Sequence, residues 1–482
     1  MSMTPQARRR ALGFAAAVLV ALAIAVILLL PPPGQGTATG PTPLDYVGGS
    51  TCAGCHAEEA RRWRGSHHDL AIQKPDEKTV QGDFSGRTFE HQGVVTRFYR
   101  RDGRYFVRTD GPDGRPAEFS VAYVFGVTPL EQYLLELPGG RLQALGVAWD
   151  SRPKRQGGGR FFHLYPGETT DHRDALHWTQ RSQNWNSQCA ECHSTNLRKG
   201  YVPAEDRFST TFSELDVSCE ACHGPGSRHV EWARQASSRG RKPVGEPGLV
   251  VRFDERRDRT ATMNEALGTV TLAGVSDRRV EVEACGRCHA RRGPLTEDYR
   301  PGRLLAQTHQ PSLLDEGLYY ADGQMQGEVY NWGSFLQSRM HAAGVTCADC
   351  HDPHDARLRA GRDLVCATCH APEAFATRRH HLHRENGPGA SCVACHMRSE
   401  TYMVVDERHD HSFRVPRPDL TLALGRESAP NACNDCHRDR TAEWAARAVR
   451  RAHPGGRHTK PHYATALHAG RRYRPGAEAL LL

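Results

Sequence analysis

The most apolar stretch of the chain lies near its beginning. Residues 11–30 are uncharged and mostly apolar, and they follow three arginines at 8–10. A run of about 20 apolar residues can span a bilayer, whereas the core of a cleaved signal peptide is usually about 7 to 15 residues long. The pattern predicts a signal anchor and transmembrane helix at 1–30 and a linker at 31–45, with cleavage as the alternative. The arginines place the rest of the chain on the periplasmic side of the inner membrane.

A second pattern, rich in β-branched and aromatic residues, runs through the first long interval of the chain. Short turns with the sequences RDG and DGPDG separate its segments. Such segments between glycine-containing turns indicate a β-meander. The predicted strands cover 94–100, 105–109 and 118–125, with 142–149 and 161–165 as further candidates. We interpret residues 80–170 as a small β-rich insertion.

Charge and composition narrow the function only slightly. The chain has 63 Lys and Arg residues against 55 Asp and Glu residues, a net charge of +8. A nucleic-acid partner would require a clustered basic face or a known binding module, and the sequence shows neither. The sixteen cysteines would suit disulfides in an exported protein or zinc in a cytosolic one, so only their spacing decides between these classes.

All sixteen cysteines fall into eight CxxCH motifs. The cysteines, pair by pair, are Cys52 and Cys55, Cys189 and Cys192, Cys219 and Cys222, Cys285 and Cys288, Cys347 and Cys350, Cys366 and Cys369, Cys392 and Cys395, and Cys433 and Cys436. The histidines that complete the motifs are His56, His193, His223, His289, His351, His370, His396 and His437.

The spacing of this motif matches the chemistry of covalent haem attachment. Two thiols one helical turn apart add to the two vinyl groups of haem, and the adjacent histidine then reaches the iron axially. Zinc knuckles and redox CxxC pairs do not require a histidine directly after the second cysteine. The sequence therefore predicts eight haem c groups, each with a proximal histidine.

The histidines outside the motifs are candidates for the second axial position. The motifs use eight of 27 histidines, and methionine is scarce at seven residues. Because an electron-transfer haem takes a second His or Met ligand, we expect histidine to fill most of these positions. The suggestive candidates are His67, His68, His229, His341, His354, His380, His381, His383, His409 and His411, while His177 and His309 lie farther from any motif.

Several flanking phrases carry a family resemblance. The segments CAGCHAEEARRWRGSHHDLA, NWNSQCAECHSTNL, VSCEACHGPGSRH, SRMHAAGVTCADCHDPH and CVACHMRSETYMVVDERHDHSFRVPRP resemble octahaem members of the cytochrome c-554 and hydroxylamine-oxidoreductase-like multihaem superfamily, most closely members with C-terminal tetratricopeptide-type repeats. The resemblance implies a mainly α-helical multihaem fold with few regular elements and closely stacked haem pairs. On that pattern the distal ligands are His68, His177, His229, His309, His341, His354, His381, His383 and His411.

The expected organisation follows the motifs. It places a first haem segment at 46–79, the β-rich insertion at 80–170, a multihaem core with haems 2 to 8 at 171–440 and a basic helical tail at 441–482. Residues 463–482 resemble the start of a helical repeat, and one repeat cannot bury its own apolar face. The tail either docks on the haem domain or begins an array of the kind that repeat-bearing relatives continue.

Two hypotheses of function follow. The first is an electron conduit between a redox partner, such as a quinol-oxidising membrane complex or another cytochrome, and an acceptor. The second is an oxidoreductase in which one open-coordination haem acts on a small nitrogen or sulfur oxyanion. Lys-ligated nitrite reductases carry CxxCK, and every motif here ends in histidine, although Lys199 is a candidate distal lysine. A third hypothesis, a subunit of an extracellular haem filament, would require cleavage of the N-terminal segment.

Overall fold

The computed structural model describes residues 44–238, 247–275, 279–297 and 299–482. The predicted anchor at 1–30 and nearly all of the predicted linker at 31–45 lie outside these residues. Among the helices of the described ranges, none is both long and apolar enough to cross a membrane. Tyr46–Leu482 forms one compact unit.

A nine-stranded antiparallel sheet occupies the first interval between haem motifs. Its strands are β1 Ile72–Gln73, β2 Ser85–His91, β3 Val94–Arg101, β4 Arg104–Asp110, β5 Pro116–Phe125, β6 Leu130–Leu137, β7 Arg141–Ala144, β8 Val147–Asp150 and β9 Arg160–His163. Neighbouring strands pair in the order β2-β3-β4-β5-β6-β8-β9, while β1 pairs with β5 and β7 pairs with β6.

Aromatic side chains fill the core of this sheet. Phe98 and Phe161 stack with ring centroids 3.8 Å apart, and Phe84 and Tyr133 meet edge to face at 5.1 Å. Phe98 and Tyr133 are fully buried. Since burial of one such ring contributes about 1.5 to 3 kcal/mol, this cluster gives the sheet a core that needs no haem.

Five short hairpins follow along the chain. They are β10 Tyr201–Val202 with β11 Arg207–Phe208, β12 Thr260–Asn264 with β13 Thr269–Ala273, β14 Arg292–Pro294 with β15 His309–Pro311, β16 His351–Asp352 with β17 Arg357–Leu358, and β18 Ser399–Tyr402 with β19 Asp406–His409.

The helices are short and occur mainly around the haem motifs. They are α1 Gly49–Ala53, α2 Ala57–Trp63, α3 Trp185–Gln188, α4 Ala190–His193, α5 Cys219–His223, α6 Ser227–Ser238, α7 Val280–His289, α8 Trp332–Leu336, α9 Arg339–Ala342, α10 Cys347–Cys350, α11 Leu364–Ala367, α12 Pro372–Phe375, α13 Arg378–His381, α14 Cys392–His396, α15 Pro418–Leu424, α16 Ala432–Cys436, α17 Ala442–Ala452, α18 Ala464–Arg471 and α19 Ala477–Leu481.

The expectation of a mainly α fold is wrong for the described residues. Helix accounts for about 30% and strand for about 23%. A CxxCH motif needs only about one helical turn, so eight motifs generate many helices but little helical length. The sheet, by contrast, holds nine strands with a core of its own.

The C-terminal tail packs against the haem-bearing part of the chain. Leu420 and Leu424 of α15 form a buried cluster with Ala429 and with Ala464 of α18. Arg471 donates a 2.9 Å hydrogen bond to the Tyr319 carbonyl. The small apolar residues Ala464 and Ala469 of α18 are therefore buried within the chain, whereas Leu480 and Leu481 of α19 are more than half exposed.

Candidate haem sites

Each CxxCH motif lies in or directly beside a helical turn, and polar side chains begin several of these turns. Ser391 and Asn431 accept hydrogen bonds from backbone N–H groups in the first turns of α14 and α16. Thr346 forms a capping box at the start of α10. Such caps satisfy N–H groups that a short helix leaves unpaired and so fix the first cysteine of the motif.

The cysteines of different motifs lie next to one another, although none of the sixteen forms a disulfide. Haems are numbered here by the order of their motifs. Thiols of different motifs lie close enough for one to shift the pKa of the other: Cys219 shifts that of Cys52, Cys288 that of Cys192, Cys347 that of Cys285 and, added to burial, Cys392 that of Cys366. Burial raises the pKa of Cys222, Cys350 and Cys395, and thiols of other motifs add to it: Cys288 for Cys222, Cys369 for Cys350, and Cys433 and Cys436 for Cys395.

The proximity of these thiols orders the motifs in space. They connect motifs 1, 3, 4, 5, 6, 7 and 8 in one unbroken succession, with motif 2 joined to motif 4. The chain order of the motifs is thus not their spatial order.

Five motif histidines face a second histidine at a similar separation. The ring centroids are 6.1 Å apart for His56 and His229, 6.3 Å for His289 and His68, 6.4 Å for His351 and His411, 6.1 Å for His396 and His380, and 5.9 Å for His437 and His383.

That separation is too long for direct ring stacking and suits a metal between the rings. With metal–nitrogen bonds of about 2 Å, two imidazoles bound on opposite sides of one iron have centroids about 6 Å apart. By contrast, His91 and His163 in the sheet stack directly, with centroids 4.2 Å apart. The five pairs therefore fit haem, and the sheet pair does not.

Hydrogen bonds at Nδ1 support the same fit. The Nδ1 atoms of His229, His396 and His411 lie 2.8, 2.9 and 2.9 Å from the carbonyls of Pro247, Arg414 and His409. The His68 ring likewise donates to the Pro353 carbonyl. An imidazole that donates from Nδ1 to a carbonyl keeps its Nε2 lone pair for a metal.

Burial lowers the pKa of six motif histidines and so favours neutral imidazole, the form that binds a metal; they are His193, His223, His289, His351, His370 and His396. Desolvation lowers the pKa of His223 and of His289 to about 4, and nearby histidines lower both further. Burial also lowers the pKa of His193, although the hydrogen bond to the Ala71 carbonyl opposes that change.

Two predicted distal ligands lie elsewhere. His177 is buried in the sheet region, with Nε2 2.9 Å from Asp110 Oδ2 and Nδ1 2.8 Å from Thr179 Oγ1. His309 has Nε2 2.9 Å from Glu191 Oε1. Neither ring faces a motif histidine, and a carboxylate holds the Nε2 atom of each.

One histidine outside the predicted ligand set faces a motif histidine. His380 in α13 faces His396, whereas the neighbouring predicted His381 has Nδ1 3.2 Å from the backbone N–H of His383. No spacing rule distinguishes adjacent histidines. The orientation of a single-turn helix decides between them.

The remaining predicted distal histidines, His354 and His341, have no ring pair of this kind. Burial has the largest effect on the pKa of His223, and the next largest comes from His354, which also lowers it. His341 Nε2 is buried without a hydrogen-bond partner. An orphaned imidazole nitrogen in a protein interior needs an explanation, and a metal bond is one.

Within the described residues, three motif histidines, His193, His223 and His370, have no imidazole in ring contact, and each meets a phenylalanine ring edge to face instead. The Nδ1 of His193 lies 3.0 Å from the Ala71 carbonyl. Beyond burial, neighbouring histidines lower the pKa of His223 and of His370, whereas no histidine affects the pKa of His193. Of these three motifs, motif 2 is therefore the one without an evident distal histidine.

Cationic side chains surround motif 2. Arg292 donates to Cys192 Sγ at 3.4 Å, and its side chain is 9% exposed. Burial by itself would raise the Glu191 pKa, but a hydrogen bond from His309 and the charges of Arg292 and Arg287 lower it to about 2. The predicted candidate Lys199 lies instead 3.6 Å from Glu297 in an ion pair.

Several buried N–H and O–H donors have no acceptor in the protein. They include the side-chain donors of Trp185, Trp232, Arg287, Tyr299, Trp332 and Arg398. Buried donors are almost always satisfied, and each haem carries two propionate carboxylates that accept hydrogen bonds. These orphaned donors therefore fit propionates, and they could not be found from sequence patterns.

Comparison with known proteins agrees with this chemistry. A family model described as cytochrome c554 and c-prime matches residues 164–224, which hold motifs 2 and 3. The chain is a multihaem c-type cytochrome. No curated protein matches its sequence significantly.

Two solved structures are similar to this cytochrome at 16% identity. An undecahaem cytochrome from the S-layer of Carboxydothermus ferrireducens has a TM-score of 0.36, and the match covers 92% of this chain and 68% of that one. The octahaem sulfite reductase of Wolinella succinogenes has a TM-score of 0.35, with 77% and 59% covered. Likenesses this weak carry no argument about function.

Proposed function

We propose that this cytochrome is an electron conduit, located outside the cytoplasm, that carries eight haem c groups. The unbroken succession of motif contacts supports this function most strongly. Because neighbouring motifs lie near one another, the attached haems would lie close together from haem 1 through haems 3, 4, 5, 6 and 7 to haem 8. Electrons could enter at one end and leave at the other without a diffusible substrate.

The ligand sets follow from the geometry. We assign His229 to haem 1, His68 to haem 4, His411 to haem 5, His380 to haem 7 and His383 to haem 8. No ring pair marks the ligands of haems 3 and 6, so by elimination we propose His354, which is close enough to lower the pKa of His223, for haem 3 and His341, with its orphaned Nε2, for haem 6. An iron bound by two imidazoles has no vacancy for substrate, so these seven haems would carry electrons only.

Bound haem supplies reversible one-electron chemistry, and the chain tunes it. The carbonyls that accept from Nδ1 hold each imidazole in one tautomer and orientation. Arg398, with a side chain 9% exposed, lies 3.0 Å from Glu400 and also contacts Asp435 beside motif 8. Buried charges of this kind set the potential of a nearby haem.

The test of the conduit is a measurement without substrate. Protein-film voltammetry on purified cytochrome should show reversible signals that integrate to eight electrons per chain. Pyridine haemochrome analysis should give eight haems c on the same sample. Fewer than eight haems per polypeptide, or reversible signals that integrate to fewer than eight electrons, would contradict a continuous series of haems.

A second candidate function rests on motif 2. Haem 2 would lack an imidazole opposite His193. Arg287, Arg292 and Glu191 lie around Cys192, and Glu328 is the acidic neighbour of Cys189. An open iron with two arginines nearby would suit a small anion, as in an oxidoreductase that acts on a nitrogen or sulfur oxyanion. Haem 4 would then connect this branch to the conduit.

Catalytic current distinguishes the two candidates, since an open haem 2 would bind carbon monoxide in either case. Carbon monoxide binds ferrous haem only where the iron has an open or easily vacated position. One CO per chain together with substrate-dependent catalytic current from nitrite or sulfite would favour the enzyme. No catalytic current with either anion would favour the conduit.

A further inference from the structure

The positive charge of this cytochrome is concentrated in its last 45 residues. Residues 438–482 contain ten Lys and Arg residues and three Asp and Glu residues, a net charge of +7, whereas the chain as a whole carries +8. The haem-bearing residues 44–437 carry a net charge of −2. The excess therefore belongs to one region that begins directly after the eighth motif.

Part of that charge lies immediately beside haem 8. The Trp444 ring is 5.0 Å from the ring of His437, the proximal histidine of motif 8. The Arg440 guanidinium lies 5.9 Å above the Trp444 ring. Helix α17 begins after Thr441, whose side chain accepts a hydrogen bond from the Trp444 N–H.

Two further arginines continue the same side of α17. Arg447 and Arg451 follow Trp444 by three and seven residues, so they share its side of the helix. Arg440 and Arg447 have side chains 56% and 54% exposed. We call Arg440, Trp444, Arg447 and Arg451 the arginine face.

Acidic neighbours only partly offset this face. Asp439 lies 3.2 Å from Arg440, and Glu443 lies 2.8 Å from Arg447. Exposed Arg378 and Arg379 extend the positive region from α13, the helix that carries His380. Nε2 of His453, just after α17, lies 3.1 Å from the His380 carbonyl, which fixes the two helices together.

We propose that the arginine face docks an acidic redox protein and is the port between that partner and haem 8. The proposal rests on the electron conduit proposed above. One electron passes from the reduced partner to the ferric haem, which becomes ferrous, and no atom or proton is transferred.

The composition of the face suits a protein partner. Tryptophan and arginine dominate the energetic centres of protein interfaces. Opposite charges speed encounter and orient the partner, so that its cofactor would approach Trp444 and the haem beneath it. A port also belongs at an end of the motif succession, and motif 8 is such an end.

The test compares two triple variants of the full, haem-loaded chain. The face variant carries Arg440→Gln, Arg447→Gln and Arg451→Gln. The control variant carries the same change at Arg87, Arg97 and Arg108, which are exposed arginines on strands β2, β3 and β4. Both variants lose three positive charges, so only the position of the loss differs.

The probe is reduced flavodoxin, an acidic flavoprotein, mixed with oxidised cytochrome in an anaerobic stopped-flow instrument. At low ionic strength we expect the bimolecular rate constant to fall about tenfold in the face variant and less than twofold in the control. The difference should vanish in about 0.5 M salt, where screening is nearly complete. Equal effects of the two variants, or none, would overturn the proposal.

Two further measurements separate other outcomes. Haem content and the low-spin spectrum of both variants should equal those of the parent, so a loss there would point to the conduit rather than to the port. Sedimentation with phosphatidylserine vesicles tests a membrane surface instead. If the face variant loses vesicle binding but keeps the parent flavodoxin rate, the arginine face is a membrane site and the proposal is wrong.

Discussion

Adjacent histidines in α13 provide the sharpest test of the ligand assignments. His380 and His381 have the same chemistry and lie on one helical turn, Arg378–His381. Only His380 faces a motif histidine, at 6.1 Å and an interplanar angle of 22°. The substitution His380→Asn should remove a ligand of haem 7, and His381→Asn should not.

The expected magnitude follows from the haem count. Loss of one imidazole converts one of eight irons from low to high spin, about an eighth of the total. Asparagine at 381 keeps a side-chain acceptor near the Nδ1 position that accepts from the His383 N–H at 3.2 Å. That hydrogen bond is worth about 1 kcal/mol, so the 381 variant should remain folded and low spin.

The assay is electron paramagnetic resonance of the oxidised variants, quantified against total haem. The parent spectrum is subtracted to isolate the change. A new high-spin signal of about one iron per chain in the 380 variant, and none in the 381 variant, is the expected result. The reverse pattern would refute the geometric assignment and restore the predicted ligand His381.

Three further predictions concern the sheet, the fourth motif and haem 2. His177→Phe should lower the free energy of unfolding by about 2 to 4 kcal/mol, because the partly buried Asp110 carboxylate loses its ion-pair partner and keeps the hydrogen bond from the Thr109 hydroxyl, yet keep the haem spectrum unchanged. Gly286→Ala should reduce haem content, because its Cβ would lie 2.5 Å from Trp332 Nε1. The dithionite-reduced parent should bind one CO per chain, measured by titration of the difference spectrum.

Each of these has its own control. Chemical denaturation followed by circular dichroism measures the His177 variant, and a new high-spin signal there would show that His177 is a ligand after all. Gly54→Ala, also inside a CxxC segment, has only an ordinary contact of 3.4 Å and should keep eight haems. Equal haem loss in both glycine variants would contradict the steric account. Zero CO, or two or more per chain, would contradict an open haem 2.

The sequence alone could predict the chemistry of the motifs but not their arrangement. Motif spacing is a local property, and each motif lies in or beside a helical turn, as the addition of two thiols to one haem requires. The contact between Cys52 and Cys219 joins residues far apart in the sequence, and no local pattern contains it. Ligand choice is equally nonlocal, because His68 lies beside motif 1 yet faces His289 of motif 4.

The sheet shows a similar limit. Strands β3, β4 and β5 lie within a residue or two of where turn signals and β-branched residues predicted them. Strand β6 has the sequence LEQYLLEL, which is rich in helix-forming residues, and it was not predicted. It becomes a strand because it lies between β5 and β8 in the sheet, where six of its eight residues are buried. Tertiary contacts override local propensity at such a position.

The central claim is that the eight haems form one connected series, with haem 2 as a branch at haem 4. Seven of the eight irons are bound by two histidines. Electron paramagnetic resonance of the oxidised parent, quantified against a pyridine haemochrome assay of the same sample, tests it most directly. The account predicts eight haems c per chain, seven low-spin irons and one high-spin iron at haem 2. Fewer than eight haems, or any number of high-spin irons other than one per chain, would contradict it.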